Sequence, residues 1–271
     1  MKCLEEALKI RKLRLPESEK VAITYEKIGK VAREMGKTTK AQNALEEALQ
    51  IRKKVHGGLH EAVASVLQEL GDLMDDLGNY KDAMDKYFEA LDIRQELFGN
   101  DHVAVAETFY SMGYTLQNQD SPDQALDCFE ESLNIRKVRL GPDAKEVGDT
   151  LNMMGFLQAK RGELDDALSL LWDALRIRKL HDDHVKVSET LKNIGNVHRE
   201  KQEHELAIEC YEECLRIRRS ELGDGHEKVA DALIAMGNVQ SDMEMAEEAM
   251  RSYREGKQSA AFIFTEMVIY T

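Results

Sequence analysis

The sequence predicts an all-α chain, a solenoid of antiparallel helix hairpins stacked one on the next. Three columns of residues recurring at one period predict it. The pair Ile-Arg stands at Ile10-Arg11, Ile51-Arg52, Ile93-Arg94, Ile135-Arg136, Ile177-Arg178 and Ile217-Arg218, so the isoleucines step by 41, 42, 42, 42 and 40 residues. Glycine recurs at Gly29, Gly71, Gly113, Gly155, Gly195 and Gly237, and alanine at Ala41, Ala83, Ala125, Ala167, Ala207 and Ala249. A chain of 271 residues is long enough for about two globular domains of roughly 150 residues each. A repeat of this length instead marks hairpins that cannot bury their apolar faces alone and do so by stacking.

Within each period both halves read as helix. The chain opens inside a second helix (Cys3, Leu4, Ala7, Leu8, Ile10), a leading half-repeat. First helices carry stripes such as Val63, Leu67, Leu70 and Met74, or Val147, Leu151 and Met154, spaced by 4, 3 and 4, which is one face of a 3.6-residue helix. Second helices do the same with Ala83, Tyr87, Ala90 and Leu91, then Ala125, Phe129, Ser132 and Leu133. The turn inside a hairpin falls at Gly36, Gly78 and Gly162, or at Ser121-Pro122, where Ser caps and Pro takes the first helical position. The turn between hairpins holds Leu15-Pro16, Gly57-Gly58, Gly99-Asn100, Gly141-Pro142 and Gly223-Asp224, so all 3 prolines lie outside helix interiors. From Ile177 to His184 is 7 residues where Ile51 to His60 is 9; the shortening falls in a loop, where it is tolerated.

The small columns mark close helix–helix approach, with Leu45, Tyr87, Phe129, Leu171, Tyr211 and Tyr253 filling the space beside them. The array is read as residues 1–257, the half-repeat plus six hairpins. Residues 258–271 are read as an apolar segment continuing as helix and capping the open end, with Phe262 or Phe264 inserted, since an exposed apolar side costs about 25 cal/mol per Å².

Charge and composition exclude several functions. Lys and Arg number 37 against 51 Asp and Glu, a net charge of −14, which is wrong for a phosphate backbone; no nucleic-acid partner is expected. No run approaches the roughly 20 apolar residues of a membrane span, so no membrane insertion is expected. Cys3, Cys128, Cys210 and Cys214 form no CxxC, and a reduced cytoplasmic setting fits them.

Catalytic and metal chemistry is not indicated. His60, His102, His184 and His226 occupy one repeat column, a full repeat apart, and cannot converge on one metal. Cys210 and Cys214 are four apart on one helix, but their columns hold Ala44 and Ala48 in another repeat, which is small-residue packing. The Glu pairs Glu46-Glu47, Glu130-Glu131 and Glu212-Glu213 recur with the period as a solvated face. The repeated arginines are assigned to the last turns of second helices, where the dipole favours cations. No catalytic residue, metal or cofactor is expected. Trp172 and Phe88 replace a column otherwise charged, and are expected to be partly exposed.

The pattern A-L-x-x-A-L-x-I-R, a Gly-containing loop, H-x-x-V-A and L-x-x-L-G resembles the tetratricopeptide repeat, in the 42-residue form of kinesin light chains and nephrocystin-like proteins. Ala44 to Arg52 and Thr190 to Gly195 carry it most closely. The resemblance implies a right-handed superhelix and a protein–protein interaction scaffold or adaptor whose first helices line a concave peptide-binding groove. Carried over by the motif, that groove takes in Tyr110, Tyr114, Asn152, Phe156, Lys192, Asn196, Arg199 and Asn238. The aromatic rings would hold an apolar anchor and the Asn side chains the peptide backbone, while Lys192 and Arg199 imply a ligand with at least one acidic residue. The alternative is the regulatory or targeting portion of a larger enzyme or multi-domain protein.

Overall fold

A computed structural model describes residues 1–15 and 17–269, with side chains through residue 259. Its described residues form thirteen helices and no strand. They group into two compact units, Met1–Leu140 and Gly141–Thr271. The first unit holds α1 (Lys2–Arg14) and three antiparallel hairpins: α2 (Glu19–Glu34) with α3 (Thr38–His56), α4 (Glu61–Asp76) with α5 (Tyr80–Phe98), and α6 (Val103–Asn118) with α7 (Pro122–Leu140). The second holds three more: α8 (Lys145–Lys160) with α9 (Leu164–Leu180), α10 (His184–Glu200) with α11 (His204–Leu222), and α12 (Glu227–Asp242) with α13 (Ala246–Ile269). None of these helices, over the described residues, is long and apolar enough to cross a membrane.

The glycine column holds each hairpin together. A Cβ built on Gly71 would lie 2.5 Å from the Tyr87 ring, and one on Gly29 would lie 2.7 Å from Leu45 Cγ. The first helix therefore touches the second through bare backbone, and Leu45, Tyr87, Phe129, Leu171 and Tyr211 pack there almost wholly buried. The turn after each first helix needs a left-handed residue. Gly36, Gly78 and Gly162 supply it with φ of 65°, 72° and 82°, while Asp120, Gln202 and Glu244 adopt it at 57°, 61° and 60°. Glycine is favoured there because it has no Cβ to strain.

The repeated arginines follow the dipole expectation only in part: Arg11 and Arg178 lie in the last turns of their helices, whereas Arg52, Arg94 and Arg218 lie before them. Arg52, Arg94, Arg178 and Arg218 are buried side chains; Arg52 binds Glu19 and Glu26 on the first helix of its own hairpin, while Arg94, Arg178 and Arg218 also reach the first helix of the next. Arg178 donates to the Lys186 carbonyl at 2.9 Å, to Thr190 Oγ1 at 2.8 Å and to Asp149 Oδ1 at 2.9 Å. Arg11 makes the same pair of bonds, to the Lys20 carbonyl at 3.0 Å and Thr24 Oγ1 at 2.6 Å. Arg11, Arg94, Arg178 and Arg218 fasten one helical unit to the next, because a buried guanidinium must satisfy several donors and the following helix offers the acceptors.

The histidine column also has a specific role. His60, His102 and His226 are helix N-caps whose Nδ1 accepts from the backbone N–H two residues on, at 3.1, 3.2 and 3.1 Å. In the shortened loop Asp183 takes over, accepting from Lys186 N at 3.2 Å. Phe88 and Trp172, each within its own unit, are 49% and 48% exposed, as the sequence implies. Helix α13 runs unbroken from Ala246 to Ile269; whether Phe262 or Phe264 inserts lies outside the described residues, as does Pro16.

Candidate functional site

Each unit carries its own stretch of first-helix face. In the first unit the lateral contacts between α2, α4 and α6 are polar. Lys30 Nζ pairs with Glu69 at 2.7 Å, Arg33 pairs with Asp76, and Asn118 Nδ2 donates to Asp75 Oδ2 at 3.0 Å. Beside them lies a cleft of about 190 Å³ lined by Arg33, Asp72, Asp75, Asp76, Tyr87, Tyr110, Ser111 and Tyr114.

The two first-unit aromatics behave differently. Tyr110 packs edge-on against Phe129 with centroids 5.4 Å apart, and the Arg136 guanidinium sits 4.5 Å from its ring centre. It is part of the hairpin's packing while still lining the cleft. Tyr114 is 43% exposed, a free ring on the cleft wall.

In the second unit Asn152 is nearly buried and accepts from Asn193 Nδ2 at 3.3 Å, and Phe156 is half-buried. Lys192 Nζ reaches Asp231 Oδ2 at 3.5 Å, and Arg199 Nε donates to Asp242 Oδ2 at 2.6 Å. Asn196 Oδ1 accepts from the Tyr211 hydroxyl at 2.7 Å, and Asn238 Oδ1 from the Tyr253 hydroxyl at 2.8 Å. Asn196 and Arg199 open onto a cleft of about 810 Å³ with Glu200, Gln202, His204 and Asp242. Both second-unit cations thus hold a carboxylate already.

Sequence reasoning missed Ser111, Asp76, Asp231 and Asp242, which complete these surfaces. It also missed a pairing rule that was readable. The residue following the column glycine is Asp72, Asn196 or Asn238 where the facing second-helix residue is Tyr87, Tyr211 or Tyr253, and Lys30, Tyr114 or Phe156 where it is Leu45, Phe129 or Leu171. A buried phenol requires an acceptor, and Tyr87 finds it in Asp72 Oδ1 at 2.8 Å.

The burial of that carboxylate has a cost, which the Tyr87 contact partly offsets. Burial pushes the Asp72 carboxyl from 3.8 up to about 6, against the opposing effects of the Tyr87 hydroxyl and Arg33. A group that binds its proton more tightly when folded favours folding fully below its unfolded value, and loses that contribution as pH rises through the folded value. Asp72→Asn keeps an acceptor for Tyr87 and removes the charge. It is expected to raise the first unit's stability by about 1–2 kcal/mol near pH 7.5 and to change little near pH 3.5. Urea unfolding at the two pH values reads this; equal effects at both would show that Asp72 carries no burial penalty.

Among the described residues no group of three or more His, Cys, Asp or Glu side chains is placed to hold a metal ion. Cys210 and Cys214 are buried, and burial pushes both thiols up to about 11, the condition of an inert packing cysteine.

A family model described as tetratricopeptide repeat matches residues 2–54, 20–96, 87–137, 104–180 and 186–258. No curated protein matches the chain. Among solved structures, BtubC (BKLC) from P. vanneervenii is similar at 19% identity and a TM-score of 0.71, covering 83% of this chain and 90% of that one. The apo form of RapI is similar at 16% identity and a TM-score of 0.72, covering 96% and 91%. A putative kinesin light chain from Podospora anserina with nearly identical TPR-like repeats is similar at 13% identity and a TM-score of 0.64, covering 74% and 97%. At these identities the likeness is one of fold.

Proposed function

The chain belongs to the tetratricopeptide repeat family, and on that premise we propose that it is a non-catalytic scaffold or adaptor that binds a peptide segment of another protein on its first-helix face. The observation that carries this reading is the exposure of Tyr114. Tyr87, Phe129 and Tyr211 on the second helices are at most 1% exposed, whereas Tyr114 is 43% exposed on the wall of a cleft. An aromatic ring left in water beside polar groups is the arrangement found where a partner supplies the missing contact. In the second unit, Phe156, half-buried, and Asn196, Arg199 and Asn238 lie on that unit's own first-helix face. The preference for an acidic ligand belongs to this proposal: an acidic side chain binds Lys192 or Arg199 in exchange for Asp231 or Asp242. A cytoplasmic setting fits the four free thiols, of which Cys210 and Cys214 are buried.

The test is a triple substitution, Tyr114→Ala, Phe156→Ala and Asn196→Ala. Partners captured by the wild-type chain from its native cell and identified by mass spectrometry are expected to be lost, with the helical circular dichroism spectrum unchanged. Capture of the acidic ones is expected to weaken as salt is raised. Retained capture by the triple variant moves the site off this face, and Trp172 is then the residue to substitute.

A further inference from the structure

The cleft of the first unit holds a carboxylate oxygen with nothing to bind. Asp75, on α4, lines that cleft, and its Oδ2 accepts from Asn118 Nδ2 at 3.0 Å. Its Oδ1 is closed off from water and meets no donor among the described residues. A shielded acceptor without a partner is unfavourable, and in a native fold it marks a place where something else supplies the donor. The charges agree. Asp72, Asp75 and Asp76 line the cleft against a single cation, Arg33, which pairs with Asp76 and lies 3.8 Å from Asp72 Oδ2. Burial holds the Asp72 carboxyl at about 6 even with Arg33 beside it, so one guanidinium does not offset three acids. The aromatic wall of the cleft is half used. Tyr110 carries the Arg136 guanidinium 4.5 Å from its ring centre. Tyr114, one turn further along α6, is exposed, and among the described residues no cation lies over its ring.

We propose that the first unit's cleft takes an arginine side chain of the bound partner, its guanidinium stacked on Tyr114 and donating to Asp75 Oδ1. This inference rests on the peptide-binding reading above and adds to it a basic requirement confined to the first unit. A guanidinium presents a flat face to a ring and N–H groups at its edge at the same time. The cleft leaves one of each open, a ring and an acceptor. A lysine ammonium is a compact, strongly hydrated charge and meets the two less well. The volume of about 190 Å³ is below that of sites enclosing a whole small ligand, and it suits one long side chain. Asp75 in the first unit and Arg199 in the second each stand four residues past a column glycine, so the two units present opposite charges at equivalent places, each on its own face.

The probe is a set of linear peptides selected by the wild-type chain from a random displayed library. They are sorted by whether Tyr114→Leu, which keeps an apolar side chain and removes the ring, weakens their binding. The Tyr114-dependent peptides are expected to share an arginine. Replacing that arginine by citrulline, nearly the same shape without the charge, should cost the wild type about tenfold or more in affinity, the worth of a hydrogen bond to a charged group. Asp75→Asn keeps the oxygen that Asn118 binds and puts an N–H in place of the open acceptor. It should lose a similar factor with the arginine peptide and nothing further with the citrulline one. Asp101→Asn, which changes an exposed carboxylate outside the cleft, should alter neither. The melting temperature reports whether Asp75→Asn stays folded, and the citrulline comparison stands on the wild-type chain alone. Three results each overturn the arginine site while peptide binding stands: selected peptides none of which depends on Tyr114, Tyr114-dependent peptides indifferent to citrulline, or equal losses from Asp75→Asn and Asp101→Asn. If the wild type selects no peptide, the peptide-binding reading itself falls, and this inference with it.

Discussion

Arg94→Ala is expected to lower the stability of the first unit by about 2–4 kcal/mol, the largest loss from any single polar side chain there. Arg94 is 3% exposed. Its guanidinium donates to Thr108 Oγ1 at 2.8 Å, the Ala104 carbonyl at 3.2 Å, Gln68 Oε1 at 3.2 Å and Glu61 Oε1 at 3.0 Å. Truncation strands Gln68 inside the protein, opens a cavity and cuts the bond from α5 to α6. Glu61 is partly exposed and water takes it over, which keeps the loss below that of a fully buried pair. The matched control is Arg139→Ala, whose partner Asp101 lies 3.4 Å away with both side chains more than half exposed; it should cost less than about 1 kcal/mol. Hydrogen exchange should show α5 and α6 opening first in the Arg94 variant. Equal effects of the two substitutions would return the arginine column to a surface role.

Gly155→Leu is expected to cost about 1–3 kcal/mol in the second unit by overpacking. A Cβ at Gly155 would lie 2.7 Å from Leu171 Cγ and 3.1 Å from the Ala167 carbonyl oxygen. The leucine cannot withdraw, being fully buried itself, and the carbonyl cannot move without carrying α9. Helix propensity favours any residue over glycine by up to about 1 kcal/mol, so the sign of the result decides which effect wins. A melting temperature that rises would mean that the two helices slide apart freely. Substituting Gly57, which is exposed with nothing within 4 Å of a Cβ but has φ of 82°, tests backbone strain without packing.

The hairpins were legible because their cause is local and periodic. The glycine, alanine and large-residue columns are read directly from spacing, and the built Cβ contacts confirm why they recur. The left-handed turn was legible only where glycine marks it; at Asp120, Gln202 and Glu244 the same backbone is held by the flanking helices, with no residue type to announce it. The arginine column was visible, and Arg11 and Arg178 do lie in last turns, but position near a helix end says nothing of what a long side chain reaches. For the candidate face, the sequence gives residue identities without partners. Arg199 reads as a free cation until Asp242, 43 positions on, is found beside it at 2.6 Å, and Asn196 reads as a free amide until Tyr211 is.

The first helices are laced by contacts about one repeat in reach: Arg33 to Asp76, Asn118 to Asp75 and Arg199 to Asp242 each span 43 residues, and Lys192 to Asp231 spans 39. A ribosome therefore needs to release only about one further repeat before a finished hairpin meets its lateral partners. Contacts of such short sequence separation form early and quickly, because little loop entropy stands against them. Assembly can then proceed in the order of synthesis, each new hairpin docking on a template already folded. The same property makes a slowed or paused chain safe at repeat boundaries and vulnerable within them, where a first helix has emerged with its glycine face bare and no second helix yet to cover it.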